Sequence, residues 1–450
     1  MSFPKGFVWG SATASYQIEG GVNEDGRTPS VWDDFCRTPG KIANRDTGDT
    51  ACDSYHLWKE DVRLMKELGL KAYRFSLSWT RLLPHGVGEV NQAGVDYYNR
   101  MIDQLLENGI EPYITLFHWD YPLELYHKGG WLNRESADWF AEYAALASRC
   151  FSDRVRYWIT SNESQCYIGF GHQFGTHAPG LDLPARQAAR AWHHNLLAMG
   201  KAAKAIRDNA RGPVKVGLVS CGYLAVPETD SPADIQAARN LVFNMRRDGE
   251  HLNFSYGDLL DPPILGTYPE KLHPYLPQGW QDDMEMIRQP LDFVGTNVYT
   301  GTRVRAVADP KDYEMLPDEP GAPRSSVNKT VRPSCLYWIA KFLDERYHLP
   351  IYITENGMAN NDWISLDGKC HDPQRIDQID RYLMELSRAI DEGADVRGYF
   401  HWSLMDNFEW AEGYTKRFGL VYVDYATQKR TLKDSAYHYR DIVARNGAGL

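Results

Sequence analysis

The chain has 450 residues and a net charge of −11, with 43% hydrophobic and 24% charged residues. This composition is typical of a soluble globular protein and excludes extended disorder. The negative charge argues against a nucleic acid or an anionic membrane as a partner. The length would allow two or three domains, although barrel folds of this length are often single domains.

The first ten residues, MSFPKGFVWG, lack the charged segment and the long apolar segment of a signal peptide. No apolar run approaches the ~20 residues that are needed to span a bilayer. The seven cysteines are scattered, odd in number and without a CxxC pair, so we expect neither a disulfide framework nor a zinc site. These features predict a cytoplasmic protein that uses no metal and no cofactor.

Eight short runs rich in β-branched and aromatic residues recur along the chain, and each predicts a strand. In chain order they are FVWGSATASYQIEG from Phe7, KAYRFSLSW from Lys71, EPYITLFHW from Glu111, VRYWITSNE from Val155, KVGLVSCGY from Lys215, DFVGTNVYT from Asp292, PIYITENG from Pro350 and VRGYFHWSL from Val396. Between them lie amphipathic stretches that predict helices. Four of these are YHLWKEDVRLMKELG, VDYYNRMIDQLLENG, ADWFAEYAALASRCF and RIDQIDRYLMELSRAIDEG.

Strands that alternate with helices predict an α/β fold with a parallel sheet, and eight such units can close into a (β/α)8 TIM barrel. We therefore predict one barrel domain over residues 1–450, with the active site at the C-terminal ends of the strands. A doubly wound open sheet is the competing architecture. It would favour a glycine-rich phosphate loop after an early strand, and the sequence contains neither GxGxxG nor GxxxxGK[ST].

Polar and aromatic residues of unusual type fall at or near the predicted strand ends. They are Gln17, Arg74, His118, Asn162, Glu163, Asn297, Tyr299, Glu355 and Trp402. Glu163 and Glu355 form a candidate carboxylate pair of the kind that glycoside hydrolysis requires, one protonated and one ionised. The alternative is two unrelated glutamates, one paired with Arg74 and the other capping a helix. The matching strand-end context of both residues favours the catalytic pair.

The sequence resembles a known family over essentially its whole length. The segments that carry the resemblance are FVWGSATASYQIEG, YRFSLSW, LFHWD, SNE, GTNVYT, ITENG and HWSLMDNFEWAEGY. Together and in this order they resemble glycoside hydrolase family 1, the β-glucosidase family. The resemblance implies a retaining β-glucosidase that hydrolyses terminal β-D-glucosyl residues of small β-glucosides or cello-oligosaccharides.

The resemblance also implies residue roles. Glu355 matches the nucleophile that forms a covalent glycosyl-enzyme, and Glu163 matches the acid/base, whose pKa must be higher. Arg74 and Tyr299 match the groups that hydrogen-bond Glu355 and keep it ionised at neutral pH. The implied sugar-binding residues are Gln17, His118, Asn162, Asn297, Glu409 and Trp410, with Trp402 as the platform under the sugar ring.

The sequence departs from the family pattern after the acid/base. Ser164 stands where the family usually has proline, and its hydroxyl could donate to ionised Glu163 and lower the pKa of that carboxyl. The interpretation we favour is that surrounding packing holds the same geometry. Gln165 replaces an aromatic residue that commonly flanks the leaving-group subsite, so the aglycone preference stays open.

Three other functions compete with hydrolysis of β-glucosides. A 6-phospho-β-glycosidase is disfavoured because Glu409 would repel a phosphate and because AEGYTKRFG lacks a Ser-Lys-Tyr phosphate grip. A catalytically inactive sugar-binding relative is disfavoured because both glutamates are present. Transglycosylation stays open, as do glucose against galactose or fucose in the glycone site and the oligomeric state, including a homo-oligomer.

Overall fold

The computed structural model describes residues 2–309 and 312–450, and its centre is a closed barrel of eight parallel strands. The barrel strands are β1 (Val8–Ala12), β2 (Ala72–Ser76), β3 (Glu111–Phe117), β4 (Tyr157–Asn162), β5 (Lys215–Ser220), β6 (Phe293–Asn297), β7 (Ile351–Asn356) and β8 (Val396–Trp402). Each predicted run contains one of these strands. The prediction of a (β/α)8 barrel is confirmed, and the open sheet is excluded.

Eight helices follow the strands around the outside of the barrel. They are α1 (Ser54–Glu67), α2 (Gln92–Glu107), α3 (Ser136–Phe151), α4 (Ala185–Asp208), α5 (Tyr256–Leu265), α6 (Ser334–Tyr347), α7 (Pro373–Asp391) and α8 (Asp434–Ala444). The four helices predicted from amphipathic spacing are α1, α2, α3 and α7. All four form, because their apolar stripes pack on the strands.

Further helices and strands lie in the segments that connect these elements. Further α-helices are Ser15–Ile18, Val31–Arg37, Trp79–Leu82, Leu123–His127, Ser164–Ile168, Pro232–Phe243 and Met284–Ile287. Short segments of 3-10 or π-helix are Ala43–Arg45, Gly130–Leu132, Gly169–Gln173, Glu270–Tyr275, Trp280–Asp283 and Trp410–Glu412. Small strands outside the barrel are Ala225–Pro227, Arg246–Asp248, His251–Asn253, Thr302–Arg305, Glu314–Met315, Val421–Asp424 and Lys429–Leu432.

Aromatic side chains fill the interior of the barrel below the strand ends. The rings of Tyr113 and Phe400 lie 4.9 Å apart, and those of Phe293 and Tyr352 lie 5.3 Å apart. Gly10 makes room for this layer, since a Cβ atom there would lie 2.5 Å from the Phe400 ring. The barrel is therefore plugged by a packed core, and the open space is confined to one end.

Both candidate carboxylates lie where the strand pairing is irregular. The register between β4 and β5 shifts between Ile159 and Asn162, just before Glu163. The register between β7 and β6 shifts between Ile353 and Glu355. Such irregularities re-aim side chains at the rim of a barrel, and here they are located at the two glutamates.

Among the described residues, no helix is both long enough and apolar enough to cross a membrane.

Candidate active site

A cavity of about 500 Å³ opens at the C-terminal ends of the barrel strands. Nine of the eleven residues predicted for the site line it: His118, Asn162, Glu163, Asn297, Tyr299, Glu355, Trp402, Glu409 and Trp410. The other two, Arg74 and Gln17, lie behind this wall and contact residues that line it. The fold thus brings the whole predicted set to one place.

Glu355 is held by two donors. Arg74 Nη1 donates to Oε1 at 2.7 Å, and the Tyr299 hydroxyl donates to Oε2 at 2.6 Å. Both contacts lower the pKa of Glu355, but burial and the charge of Glu163 outweigh them and raise it to about 7. The two contacts implied for Glu355 are therefore present, and burial of the carboxyl opposes their effect on its pKa.

Glu163 follows β4 in a left-handed backbone conformation, with φ of 53°. This conformation costs a non-glycine residue about 1 kcal/mol or more and is concentrated at functional sites. The carboxylate oxygen Oε1 accepts a hydrogen bond of 2.6 Å from Asn297 Nδ2, which is a neutral donor. Burial raises the pKa of Glu163, and the contacts with Asn297 and with Cys166 lower it.

A continuous hydrogen-bond network joins the two carboxylates. Arg74 Nη2 donates to Asn162 Oδ1 at 2.6 Å, and Asn297 Nδ2 donates to the same oxygen at 3.1 Å. Asn297 itself is oriented by the Thr354 hydroxyl, which donates to its Oδ1 at 2.7 Å. The guanidinium is fully buried, so the network fixes a cation on the Glu355 side and neutral amides on the Glu163 side.

His118 presents one ring nitrogen to the network and leaves the other available. Burial and Arg74 lower the pKa of His118 well below its ordinary value, so the ring is neutral. Nε2 lies 3.0 Å from Asn162 Nδ2 and accepts from it, which places the proton on Nδ1. Nδ1 is buried and has no partner within the described residues. It is a free donor in the cavity wall.

Gln17 and Glu409 contact each other at the edge of the site. Gln17 Nε2 donates to Asn407, to the Phe408 carbonyl and, at 3.4 Å, to Glu409 Oε2. Gln17 Oε1 is buried and unpartnered in the described part of the chain. Burial and the charges of Glu355 and Glu163 raise the pKa of Glu409 to about 8.

Flat aromatic rings line part of the cavity. Trp402 ends β8 and lies 5.9 Å from His118, with nearly parallel rings. Trp410 lies 4.5 Å from Trp119 between ring centroids. The indole N–H of Trp119 donates to the Asn162 carbonyl at 2.9 Å. Such rings offer the apolar faces on which a pyranose can stack.

The described hydrogen bonds of the Ser164 hydroxyl join it to residues other than Glu163. It donates to Asn195 Oδ1 at 2.9 Å and lies 3.2 Å from the Tyr167 hydroxyl. Asn195 belongs to α4, so a packed helix holds the turn that proline would otherwise stiffen. This favours the interpretation in which packing, and not a hydrogen bond to Glu163, replaces the proline.

Gln165 lines the cavity beside Glu163. Its Nε2 donates to Ser220 Oγ at 2.8 Å and to the Ser255 carbonyl at 3.3 Å. Its Oε1 is buried, and the described residues provide it with no donor. A polar side chain therefore occupies the wall beside Glu163.

Sequence reasoning missed several residues that shape the site. Thr115 and Thr354 help to orient Arg74 and Asn297, yet short polar residues in strands carry no distinctive sequence signal. Trp119 was detectable from its place beside His118. Cys166 and Cys221 line the cavity, and their proximity depends on the barrel register, since 55 residues separate them.

Comparison with known proteins agrees with this geometry. The family model of glycosyl hydrolase family 1 matches residues 1–448. β-Glucosidase A of Thermotoga maritima is 47% identical, over 99% of this chain and 98% of that protein. The 1,4-β-D-glucan glucohydrolase of Thermotoga neapolitana is 46% identical, over 99% of each chain.

A solved structure leads to the same family. The β-glucosidase from Thermotoga maritima in complex with glucoimidazole superposes with a TM-score of 0.91 at 46% identity, covering 99% of each chain. Fold, cavity and family model thus agree over the whole length of the chain. The chain belongs to glycosyl hydrolase family 1.

Proposed function

We propose that this enzyme is a retaining β-glucosidase in which Glu355 is the nucleophile and Glu163 is the acid/base. The observation that carries this assignment is the asymmetry of the two buried carboxyls. Glu355 accepts hydrogen bonds from a guanidinium and a phenol, and Glu163 accepts one from a neutral amide. When the pair holds one proton, the adjacent cation favours the charge on Glu355 and the proton on Glu163.

In the first step, ionised Glu355 attacks the anomeric carbon, and the bond from that carbon to the leaving oxygen breaks. Glu163 gives its proton to this oxygen, so the aglycone leaves as a neutral alcohol. The Asn162 amide donates one hydrogen to His118 and retains a second, which can bind the sugar 2-hydroxyl. That contact strengthens in the transition state.

In the second step, Glu163 is ionised and acts as a base. It takes a proton from a water molecule that attacks the glycosyl-enzyme, and Glu355 is released as a carboxylate. Two inversions at one carbon give net retention. This mechanism requires the two carboxyl groups to lie roughly 5–5.5 Å apart, compared with roughly 6.5–9.5 Å for inversion.

The substrate is a terminal β-D-glucosyl residue of a small glucoside or a cello-oligosaccharide. The similar relatives named β-glucosidase and 1,4-β-D-glucan glucohydrolase support this choice, as do the stacked rings and the unpaired polar atoms of the cavity. The charge argument against a 6-phosphate is weaker than the sequence indicated, because burial and the neighbouring carboxylates raise the pKa of Glu409. The missing phosphate grip still disfavours that function.

The proposal extends to organisation and location. One catalytic domain over residues 1–450 is supported by the closed barrel and by a family model that covers residues 1–448. A cytoplasmic location is supported by the scattered cysteines, all seven of which are free thiols.

Glu163→Gln separates the acid from the nucleophile. Glycosides with poor leaving groups should lose activity by several orders of magnitude, because the oxygen is no longer protonated. Dinitrophenyl β-glucoside needs no proton, so its first step should change little and the glycosyl-enzyme should accumulate. Pre-steady-state release of dinitrophenol measures this burst. Equal losses on good and poor leaving groups would overturn the assignment of Glu163.

A further inference from the structure

Two thiols lie against the carboxyl group of Glu163. Cys166 Sγ and Cys221 Sγ are 3.4 Å apart, and both side chains line the cavity. One carboxylate oxygen of Glu163 and the two sulfurs all lie within 4.8 Å of one another. Among the described residues this is the one cluster of three such side chains with metal-binding spacing.

We propose that Cys166, Cys221 and Glu163 form a binding site for a thiophilic divalent cation such as Zn²⁺ or Cd²⁺, and that the bound cation blocks the acid/base. Three ligands with an open fourth position match the coordination number that such ions adopt. The effect on activity rests on the proposed role of Glu163, whereas cation binding does not.

The spacing of the two sulfurs fits one shared cation. Two sulfurs that bind zinc at about 2.3 Å with a tetrahedral angle lie roughly 3.8 Å apart, close to the 3.4 Å between Cys166 Sγ and Cys221 Sγ. Cys166 lies in the short helix Ser164–Ile168, and Cys221 directly follows β5. The fold itself therefore brings the two sulfurs to a separation that suits one shared cation.

The Glu163 carboxylate can supply the third ligand. Its Oε1 accepts from Asn297, so the second oxygen remains for a cation. Glu355 also lies near Cys166 and adds negative charge, while the Arg74 cation is engaged with Glu355. The cavity supplies the fourth position, where water or a buffer anion can bind.

Binding is an exchange of protons for a cation. Each thiol loses its proton and forms a metal–sulfur bond, and Glu163 loses its proton if it carries one, so two or three protons are released per cation. No oxidant or reductant takes part. Because each bound cation displaces protons from its ligands, the affinity should rise with pH.

A cadmium titration tests the site without reference to activity. Reduced protein is freed of reductant under anaerobic conditions and titrated with Cd²⁺, and the thiolate-to-cadmium charge-transfer band is recorded. We expect one Cd²⁺ per chain in the wild type, displaced by Zn²⁺. Cys166→Ser and Cys221→Ser should each abolish the band or weaken binding by at least about 100-fold. Cys150→Ser, a half-buried thiol on α3, is the matched control and should bind as the wild type does.

Activity measurements with bound cadmium distinguish the cation site from the proposed catalytic role of Glu163. Bound Cd²⁺ should slow the first step, measured as aglycone release, much more for poor-leaving-group glucosides than for dinitrophenyl glucoside, and a chelator should restore both rates. If binding occurs without this selectivity, the cation site stands and the role of Glu163 fails. Absence of the band, or an unchanged band in Cys221→Ser, overturns the site. A loss of two titratable thiols from unfolded protein would indicate a disulfide and would also overturn it.

Discussion

Removal of the Tyr299 hydroxyl group tests how its hydrogen bond affects the pKa of Glu355, the proposed nucleophile. Tyr299→Phe removes one oxygen atom, whose described hydrogen bond is the 2.6 Å contact with Glu355 Oε2. The ring and its packing stay in place. The guanidinium of Arg74 also stays, so the variant isolates one donor.

The expected shift follows from the strength of that contact. A hydrogen bond to a charged group contributes about 1.5–3 kcal/mol, and one pKa unit corresponds to about 1.4 kcal/mol. The hydroxyl stabilises the ionised carboxylate, so its removal should raise the pKa of Glu355 by about 1–2 units. Because burial already raises this pKa to about 7, the nucleophile would be largely protonated at neutral pH.

The pH dependence of kcat/KM measures this shift in the free enzyme. Glu355 must be ionised to attack, so a higher pKa moves the acidic limb to higher pH. Tyr256→Phe is the matched control: it removes a buried hydroxyl that lies 2.9 Å from Thr296 Oγ1, and its acidic limb should coincide with that of the wild type. An acidic limb in Tyr299→Phe that stays in place or moves to lower pH would refute the reasoning.

Two further predictions concern neighbouring groups. The folded-state pKa of Glu409, about 8, lies above its ordinary value of 4.5, so the folded state loses stability as the pH rises through this window. At about 1.4 kcal/mol per pKa unit, this shift corresponds to about 5 kcal/mol. Glu409→Gln cannot ionise, so its stability in urea unfolding relative to the wild type should rise by up to about 5 kcal/mol between pH 4.5 and pH 9. A gain of equal size at both pH values would contradict this origin. Since Ser164 donates to Asn195, Ser164→Ala should leave the higher apparent pKa of kcat/KM unchanged. An upward shift would instead support the alternative in which the Ser164 hydroxyl donates to Glu163.

The barrel could be predicted from the sequence because its strands are buried on both faces. Such strands appear as continuous apolar runs, and each of the eight runs contains one barrel strand. Candidate site residues such as Glu163 and Glu355 could be predicted because their polar side chains lie at the ends of those runs. Their convergence on one cavity follows from the closure of the barrel.

The contacts around the acid/base could not be predicted in the same way. Ser164 meets Asn195 from α4, and Cys166 meets Cys221 after β5. Both pairings depend on how a helix or a strand is placed in three dimensions, and local spacing carries no record of it. A search for CxxC pairs detects only cysteines that are close in the sequence, so it could not predict that Cys166 and Cys221 are adjacent in space.

The net shift in the pKa of Glu355 could not be predicted from the sequence either. The sequence indicated a cation beside Glu355, and Arg74 does bind it at 2.7 Å. The cost of burying the carboxylate exceeds the gain from that cation. Burial of this degree is a property of the assembled cavity.

Trapping the covalent intermediate tests the central claim most directly. A 2-deoxy-2-fluoro-β-glucoside with a dinitrophenyl leaving group slows both steps, while the good leaving group still allows the first. We expect the intact chain to gain the mass of one fluoroglucosyl residue and peptide mapping to place it on Glu355. Modification of any other residue, or steady turnover of the reagent with no covalent adduct, would contradict the proposed mechanism.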